Sequence, residues 1–330
     1  MKKIVLTTVM CAGILFANAQ LIKRDFLTDY SIGENLEKGA YANTDQNAAN
    51  PIKVNQWNLS GKTGLNDQGG VTAQTTLALT YPGYIESGMD VSIAMAKLES
   101  GNQRTTVYSL ASDNTYGAGV YYVAFMTNVI DASPTTTHEY VAFDGNYTGN
   151  AQRARIGVRR TAAEATTFGF GLSGSASAPN SVSGTFNFGE TYLVVLKVVL
   201  TEDAATPGVG TGEGTAYLYI NPDLNSDEPA AAFLTAIIEG TALKAIRGLV
   251  VRQRSTIEAE VGGFRFAKTW ADAIGKGGSG ISGISGDKGE IVAVEYYTVT
   301  GCKVSNPGSG IYIQKNSYQN GAVETVKFLK

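Results

Sequence analysis

Along most of the chain, short stretches of alternating apolar and polar side chains are separated by Gly-, Asn- and Ser-rich turns. Val91, Ile93 and Met95 alternate with Ser92, Ala94 and Ala96, the period of two that marks a half-buried strand. Tyr121 to Met126 is a continuous apolar and aromatic run. Tyr192 to Leu200 is β-branched and nearly all apolar, as a central sandwich strand would be, with Lys197 the only interruption. Phe168, Phe170 and Leu172 alternate with Gly169 and Gly171, which puts bulk on one face and bare backbone on the other. Glycine weakens a strand unless something must come close, and packing against a neighbouring strand is preferred here over a ligand groove. Further strands are expected at Tyr217 to Ile220, Ile246 to Arg252 and Ile257 to Phe266, and a short helix at Ala230 to Ile238.

Many short strands without strand–helix alternation predict an all-β chain built of two packed antiparallel sheets. The expected order is a signal peptide at 1–19, a sandwich at 20–274, a flexible Gly/Ser linker at 275–289 and a small β-domain at 290–330. Lys2 and Lys3, an apolar run from Ile4 to Ala17, and small residues at Ala17 and Ala19 form the export signal, with the cut after Ala19. That apolar run is too short for a membrane helix, so no transmembrane anchor is expected. Lipidation at Cys11 is disfavoured by the bulk of Met10 and by an apolar run that continues past it. The last 41 residues, 290–330, read as three strands with turns at Asn306-Pro307-Gly308 and Asn320-Gly321, and are marginal for a core of their own.

Composition narrows the function classes. An apolar content of 43% and a net charge of -3 argue against disorder and leave no basic footprint for nucleic acid. One His and two Cys are too few for a Cys/His zinc site or a disulfide framework, and loss of Cys11 with the leader leaves Cys302 alone.

Two stretches resemble known families. The runs from Phe188 to Val195, Ala216 to Pro222, Gly248 to Arg254 and Gly263 to Asp272 are similar to the closing half of secreted bacterial concanavalin A-like, or laminin-G-like, jelly rolls. The resemblance implies a jelly-roll β-sandwich of a kind that includes lectins, adhesion modules and glucanases. The tail, with Val294 to Val304, Gly310 to Lys315 and Lys327 to Lys330, resembles the C-terminal sorting domain of type IX secretion. That implies secretion machinery as a partner, although the segment is shorter than the usual tag and Cys302 stands where a polar residue is common.

Candidate chemistry is sparse. The acidic run of laminarinase-type glucanases is absent, and the nearest pair, Glu258 and Glu260, lies about 7 Å apart on one strand face, read as an exposed strand edge. Gly171-Leu172-Ser173-Gly174-Ser175 ends in Ser where a nucleophile elbow needs Gly, and His138 sits in a Thr-rich stretch. Asp223, Asn225 and Asp227 have calcium-loop spacing, but Glu228 replaces the turn glycine, and a solvated loop is the simpler interpretation. The loop from Asp144 to Asn150 faintly resembles the Asp, Asn and aromatic cluster through which lectins of this fold hold calcium and sugar. Tyr116 and Tyr147 lie in Gly/Asn-rich loops and are expected to be exposed; with Asp144 and Asn146 they are the candidate ligand-binding residues. Arg153, Arg155, Arg159 and Arg160 could serve acidic glycans, but their spacing splits across both faces of a strand and favours a solvated surface.

The expectation is a non-catalytic protein exported through the Sec pathway and acting at the cell surface or beyond it, or in the periplasm if the tail is not a sorting signal. It would bind a glycan or a neighbouring surface component. The alternatives are a hydrolase of the concanavalin-like glucanase class, with acids that meet only in the fold, and a structural surface protein without a small ligand. No catalytic residue, resident metal or other cofactor is assigned, and calcium at Asp144 is left open.

Overall fold

The computed structural model describes residues 21–24, 26–36, 54–59, 73–98, 103–146, 151–276, 291–298, 303–308, 310–318 and 323–329. The leader, most of the Gly/Ser segment, Tyr147, Cys302 and the Asn320-Gly321 turn lie outside them. The chain divides into two compact units, Met1–Lys276 and Gly277–Lys330.

In the first unit the strands, in chain order, begin with β1 (Leu21–Lys23), β2 (Trp57–Leu59), β3 (Gln74–Thr76), β4 (Ser92–Met95) and β5 (Gln103–Ser109). The long central ones follow: β6 (Gly119–Asp131), β7 (His138–Asp144), β8 (Gln152–Arg160), β9 (Thr167–Ser173) and β10 (Ser183–Asn187). Then come β11 (Thr191–Glu202), β12 (Gly210–Ile220), β13 (Leu234–Leu243), β14 (Gly248–Arg254), β15 (Glu258–Ala267) and a helix, α1 (Trp270–Ile274). One sheet runs β13-β12-β11-β6-β15-β4-β3, with β1 also on β15; the other runs β10-β9-β8-β7-β14-β5-β2. All pairings within both sheets are antiparallel, and the two pack face to face as a jelly-roll β-sandwich.

The continuous apolar runs become the strands that are buried twice. In β6, Tyr121, Val123, Phe125 and Val129 enter the core between the sheets, whereas Tyr122, Ala124 and Met126 enter a second cluster on the outer face of the first sheet. β11 divides likewise, with Val194, Leu196 and Val198 inward and Leu193 and Val195 outward. Each fully buried side chain of this size contributes roughly 1.5–3 kcal/mol. The outer cluster is closed by Leu79, Tyr84, Trp270, Ala273 and Ile274. Thr269 caps α1 by accepting from the Asp272 amide at 3.1 Å, and Gly275, at φ 85°, ends it in the left-handed region. A buried Arg265–Glu86 ion pair and a hydrogen bond from Arg265 Nε to the Asp272 carbonyl (2.8 Å) tie this cover to β15.

Two sequence expectations are corrected here and a third is extended. Ala230 to Ile238 is not helical: β13 pairs with β12 from Leu234 onward, and its burial alternates, with Ile238 buried and Ile237 62% exposed. Pairing with an available sheet edge overrides the helical tendency of the alanines. Glu258 and Glu260 do not lie on a sheet edge, because β15 is flanked by β6 and β4. The bare face of β9 is covered by the chain on its way into the neighbouring strand β10, a strap at 178–182 that ends in Ser183, so the expected close packing against a neighbour extends beyond the strand itself. A Cβ on Gly171 would meet the Ser181 carbonyl at 2.5 Å and Pro179 Cβ at 2.7 Å; one on Gly169 would meet the Ser183 carbonyl at 2.9 Å.

The second unit contains an antiparallel sheet in the order β17-β16-β18-β19, from β16 (Ile291–Thr298), β17 (Lys303–Val304), β18 (Ile311–Tyr318) and β19 (Val323–Leu329). Three of these strands match the number expected for the tail, and short β17 is the addition. Among the described residues, no helix is long and apolar enough to cross a membrane.

Candidate functional site

The two outer faces of the sandwich differ in chemistry. The first sheet is sealed over part of its face by the apolar cluster under α1. The second bears charged and amide side chains beside the strap. In β8, Ala154, Ile156 and Val158 enter the core, so Arg155 turns outward; in β14, Leu249 and Val251 enter it, so Arg252 and Arg254 turn outward. β7 lies between these two strands, and a register irregularity between Glu139 and Val141 allows Tyr140 and Val141 both to face the core while Glu139 faces out.

Glu139 Oε1 thereby accepts from three guanidiniums: Arg155 at 3.0 Å, Arg254 at 2.6 Å and Arg252. Gln152 Oε1 lies at the far limit of reach, 3.5 Å from Arg252 Nη1. Exposure grades across the cluster, from 2% for the Glu139 side chain through 9% for Arg155 to 20% for Arg254. His138, beside Glu139 at the start of β7, is half-buried. Glu139 Oε2 and the Nε atoms of Arg155 and Arg254 are buried without a hydrogen-bond partner.

Within this cluster one carboxylate faces three guanidiniums, a surplus of positive charge that shows in the titration of its members. Burial pushes Arg252 down, reinforced by Arg254, to about 10. Burial raises Glu139, but Arg252 and Arg254 more than offset it, so its carboxyl stays below the usual range. His138 is lowered by burial and then by Arg254, which favours the neutral imidazole. Guanidiniums that remain charged and a carboxylate held ionised are poor proton donors at neutral pH. The arrangement is suited to holding an oxyanion by charge-assisted hydrogen bonds.

No protein-family model matches the chain, and no curated protein matches it. Solved structures similar to it include alginate lyase Aly36B, at 12% identity and a TM-score of 0.32, covering 72% of this chain and 96% of that one. A carbohydrate esterase from a Shiga toxin-encoding bacteriophage is 11% identical at a TM-score of 0.36, covering 62% of this chain and 94% of its own. A structure of botulinum neurotoxin type C, whose cell entry depends on interaction with two ganglioside molecules, is 8% identical at a TM-score of 0.34, covering 80% and 71%. At such identities none of them lends a residue to this site.

The sequence-derived candidates fare differently from the cluster. Tyr116 is not an exposed loop aromatic: its ring packs edge-on against Phe266 (centroids 5.3 Å apart) and Tyr121 (6.2 Å), half-buried at the core. A large flat ring beside two core aromatics gains more by packing than by facing water. Asp144 is fully buried, and its carboxylate accepts from the Ala151 amide (2.7 Å) and the Asn146 amide (3.3 Å), bonds that shape the loop it opens. Tyr147 lies outside the described residues. Among the described residues no group of three or more His, Cys, Asp or Glu side chains could hold a metal ion. Asp223 accepts from the Asn225 amide (2.9 Å) and Ser226 Oγ (2.6 Å) in an exposed turn. Ser173 Oγ meets Ser175 Oγ at 3.0 Å.

Three of the four arginines of β8 also part company. Arg155 joins Glu139, Arg160 pairs with Asp131 at 2.6 Å, and Arg153 Nε donates to the Glu239 carbonyl at 3.3 Å. Glu139, Arg252 and Arg254 are what the sequence analysis missed. The available signal was the alternation Val250, Arg252, Arg254, which puts two guanidiniums on the face of β14 opposite Leu249 and Val251.

Proposed function

We propose that this is a non-catalytic glycan- or surface-recognition protein that binds its ligand on the outer face of β7, β8 and β14. The observation that carries this reading is the buried convergence of three guanidiniums on one Glu139 oxygen, on an outer face beside the strap 178–183, whereas the other outer face is covered in part by an apolar cluster under a helix. Carbohydrate recognition combines such polar groups with a preformed surface. The test is a glycan array with the mature full-length chain: binding that is lost in Arg254→Gln supports the reading, and uniformly blank binding by folded protein overturns it.

Export through the Sec pathway and a sorting role for the second unit complete the proposal, on the strength of the leader pattern and the tail's resemblance. A reporter fused to residues 275–330 in a type IX-competent host is expected at the cell surface; periplasmic retention would refute the sorting role.

A hydrolase reading is favoured by one observation. Glu260, half-buried and next but one to Glu258, is raised by burial and then by Glu258, as a general acid requires. Glucan hydrolysis abolished by Glu260→Gln would establish it.

A further inference from the structure

We propose that the ligand recognised on this face is an acidic glycan, its ring carboxylate or sulfate received by Arg254 and Arg155 and a neighbouring hydroxyl donated to Glu139 Oε2. The inference rests on placing glycan recognition at this cluster. Three features of the site lead to it.

Glu139 itself shows what the guanidiniums are arranged to hold, because three of them converge on one of its oxygens. An oxyanion arriving from solvent would meet Arg254 first, the most exposed of the three at 20%. One carboxylate against three guanidiniums leaves the cluster with a positive surplus that a second anion reduces. In a half-desolvated place that attraction exceeds its value in open water.

The hydrogen-bond groups point the same way. The Nε–H groups of Arg155 and Arg254 are buried donors without acceptors, and Glu139 Oε2 is a buried acceptor without a donor. Leaving such groups unpaired is costly, because each has given up its hydrogen bonds to water. A simple anion would satisfy the donors and leave Oε2 alone. A sugar bearing an acidic group beside a hydroxyl satisfies both kinds, and a neutral sugar leaves the charge surplus in place.

The test uses the mature full-length chain and three immobilised polymers: polygalacturonate, dextran sulfate and dextran. At least one acidic polymer is expected to bind tenfold or more tighter than dextran and to weaken steeply between 50 and 300 mM salt, as charge-assisted contacts do. Arg254→Gln should lose about tenfold of that binding with the native circular-dichroism spectrum retained, and Arg155→Gln more. Preference for polygalacturonate identifies a carboxylate as the source of the anion, and equal binding of dextran sulfate identifies any oxyanion. Dextran bound as tightly as the acidic polymers overturns the acidic-glycan inference and leaves glycan recognition standing. Acidic polymers held at wild-type strength by a folded Arg254→Gln, Arg155→Gln double variant also overturn it, because the charge read would then lie elsewhere. Failure to bind any of the three, with the fold intact, overturns the inference and the broader reading together.

Discussion

One Glu139 oxygen receiving three guanidiniums means that this side chain organises the face from beneath. Its removal leaves like charges gathered on a sheet with nothing between them. Breaking a buried pair by removing one partner costs about 3–5 kcal/mol, so Glu139→Ala should lower the unfolding free energy obtained from urea titration by an amount in that range. The same residue sets an acid limb. Its folded pKa lies below the unfolded value of about 4.3, so the stability it contributes is complete above that value and is lost as pH falls through the folded pKa. Urea titrations at pH 6 and pH 3 should show a larger loss for wild type than for Glu139→Gln. An alkaline limb comes from the opposite face. Tyr122 and Tyr219 donate to Glu228 at 2.7 Å each, and burial, then Glu228, pushes both phenols up. Their stabilisation is whole below the unfolded tyrosine pKa of about 10 and drains away above it. Tyr219→Phe should flatten the fall in melting temperature between pH 9 and 11.

At the scale of elements, β9 shows how a pattern can be correct and still incomplete. Alternating Phe and Gly determine which face enters the core, and Phe168 and Phe170 are fully buried there. What lies on the glycine face depends on the return of the chain through Pro179 to Ser183, which no periodicity encodes. Gly171→Ala would drive a methyl group into backbone and proline, and is expected to cost about 1–3 kcal/mol, the usual range for overpacking. An unchanged denaturation midpoint would show that the strap lifts freely from the sheet. The misassigned helix at Ala230 to Ile238 follows the same logic. Three consecutive alanines favour a helix weakly, whereas pairing along β12 satisfies backbone groups from Leu234 onward.

For the whole molecule, the buried sandwich core among the described residues lies between Phe26 and Phe266, and the outer cluster ends at Ile274. A mature chain ending at Lys276 should therefore unfold with the midpoint and cooperativity of the full-length protein, as calorimetry would show. A drop of several degrees would mean that the second unit supports the first. The all-β class, most strand positions and the apolar runs that became β6 and β11 were legible in the sequence because side-chain alternation and apolar runs are local properties, written within a few consecutive residues. The Glu139 cluster was not, since Glu139, Arg155, Arg252 and Arg254 come from three strands separated by up to 115 positions. Loop composition suggested Tyr116 and Asp144, but the fold spends the first on core packing and the second on its own loop. By itself the sequence determined which residues form strands and which of their faces are apolar. Only the tertiary structure decided which polar faces become neighbours, because antiparallel pairing in a sandwich joins strands distant in the chain, and charge recognition depends on distance in space.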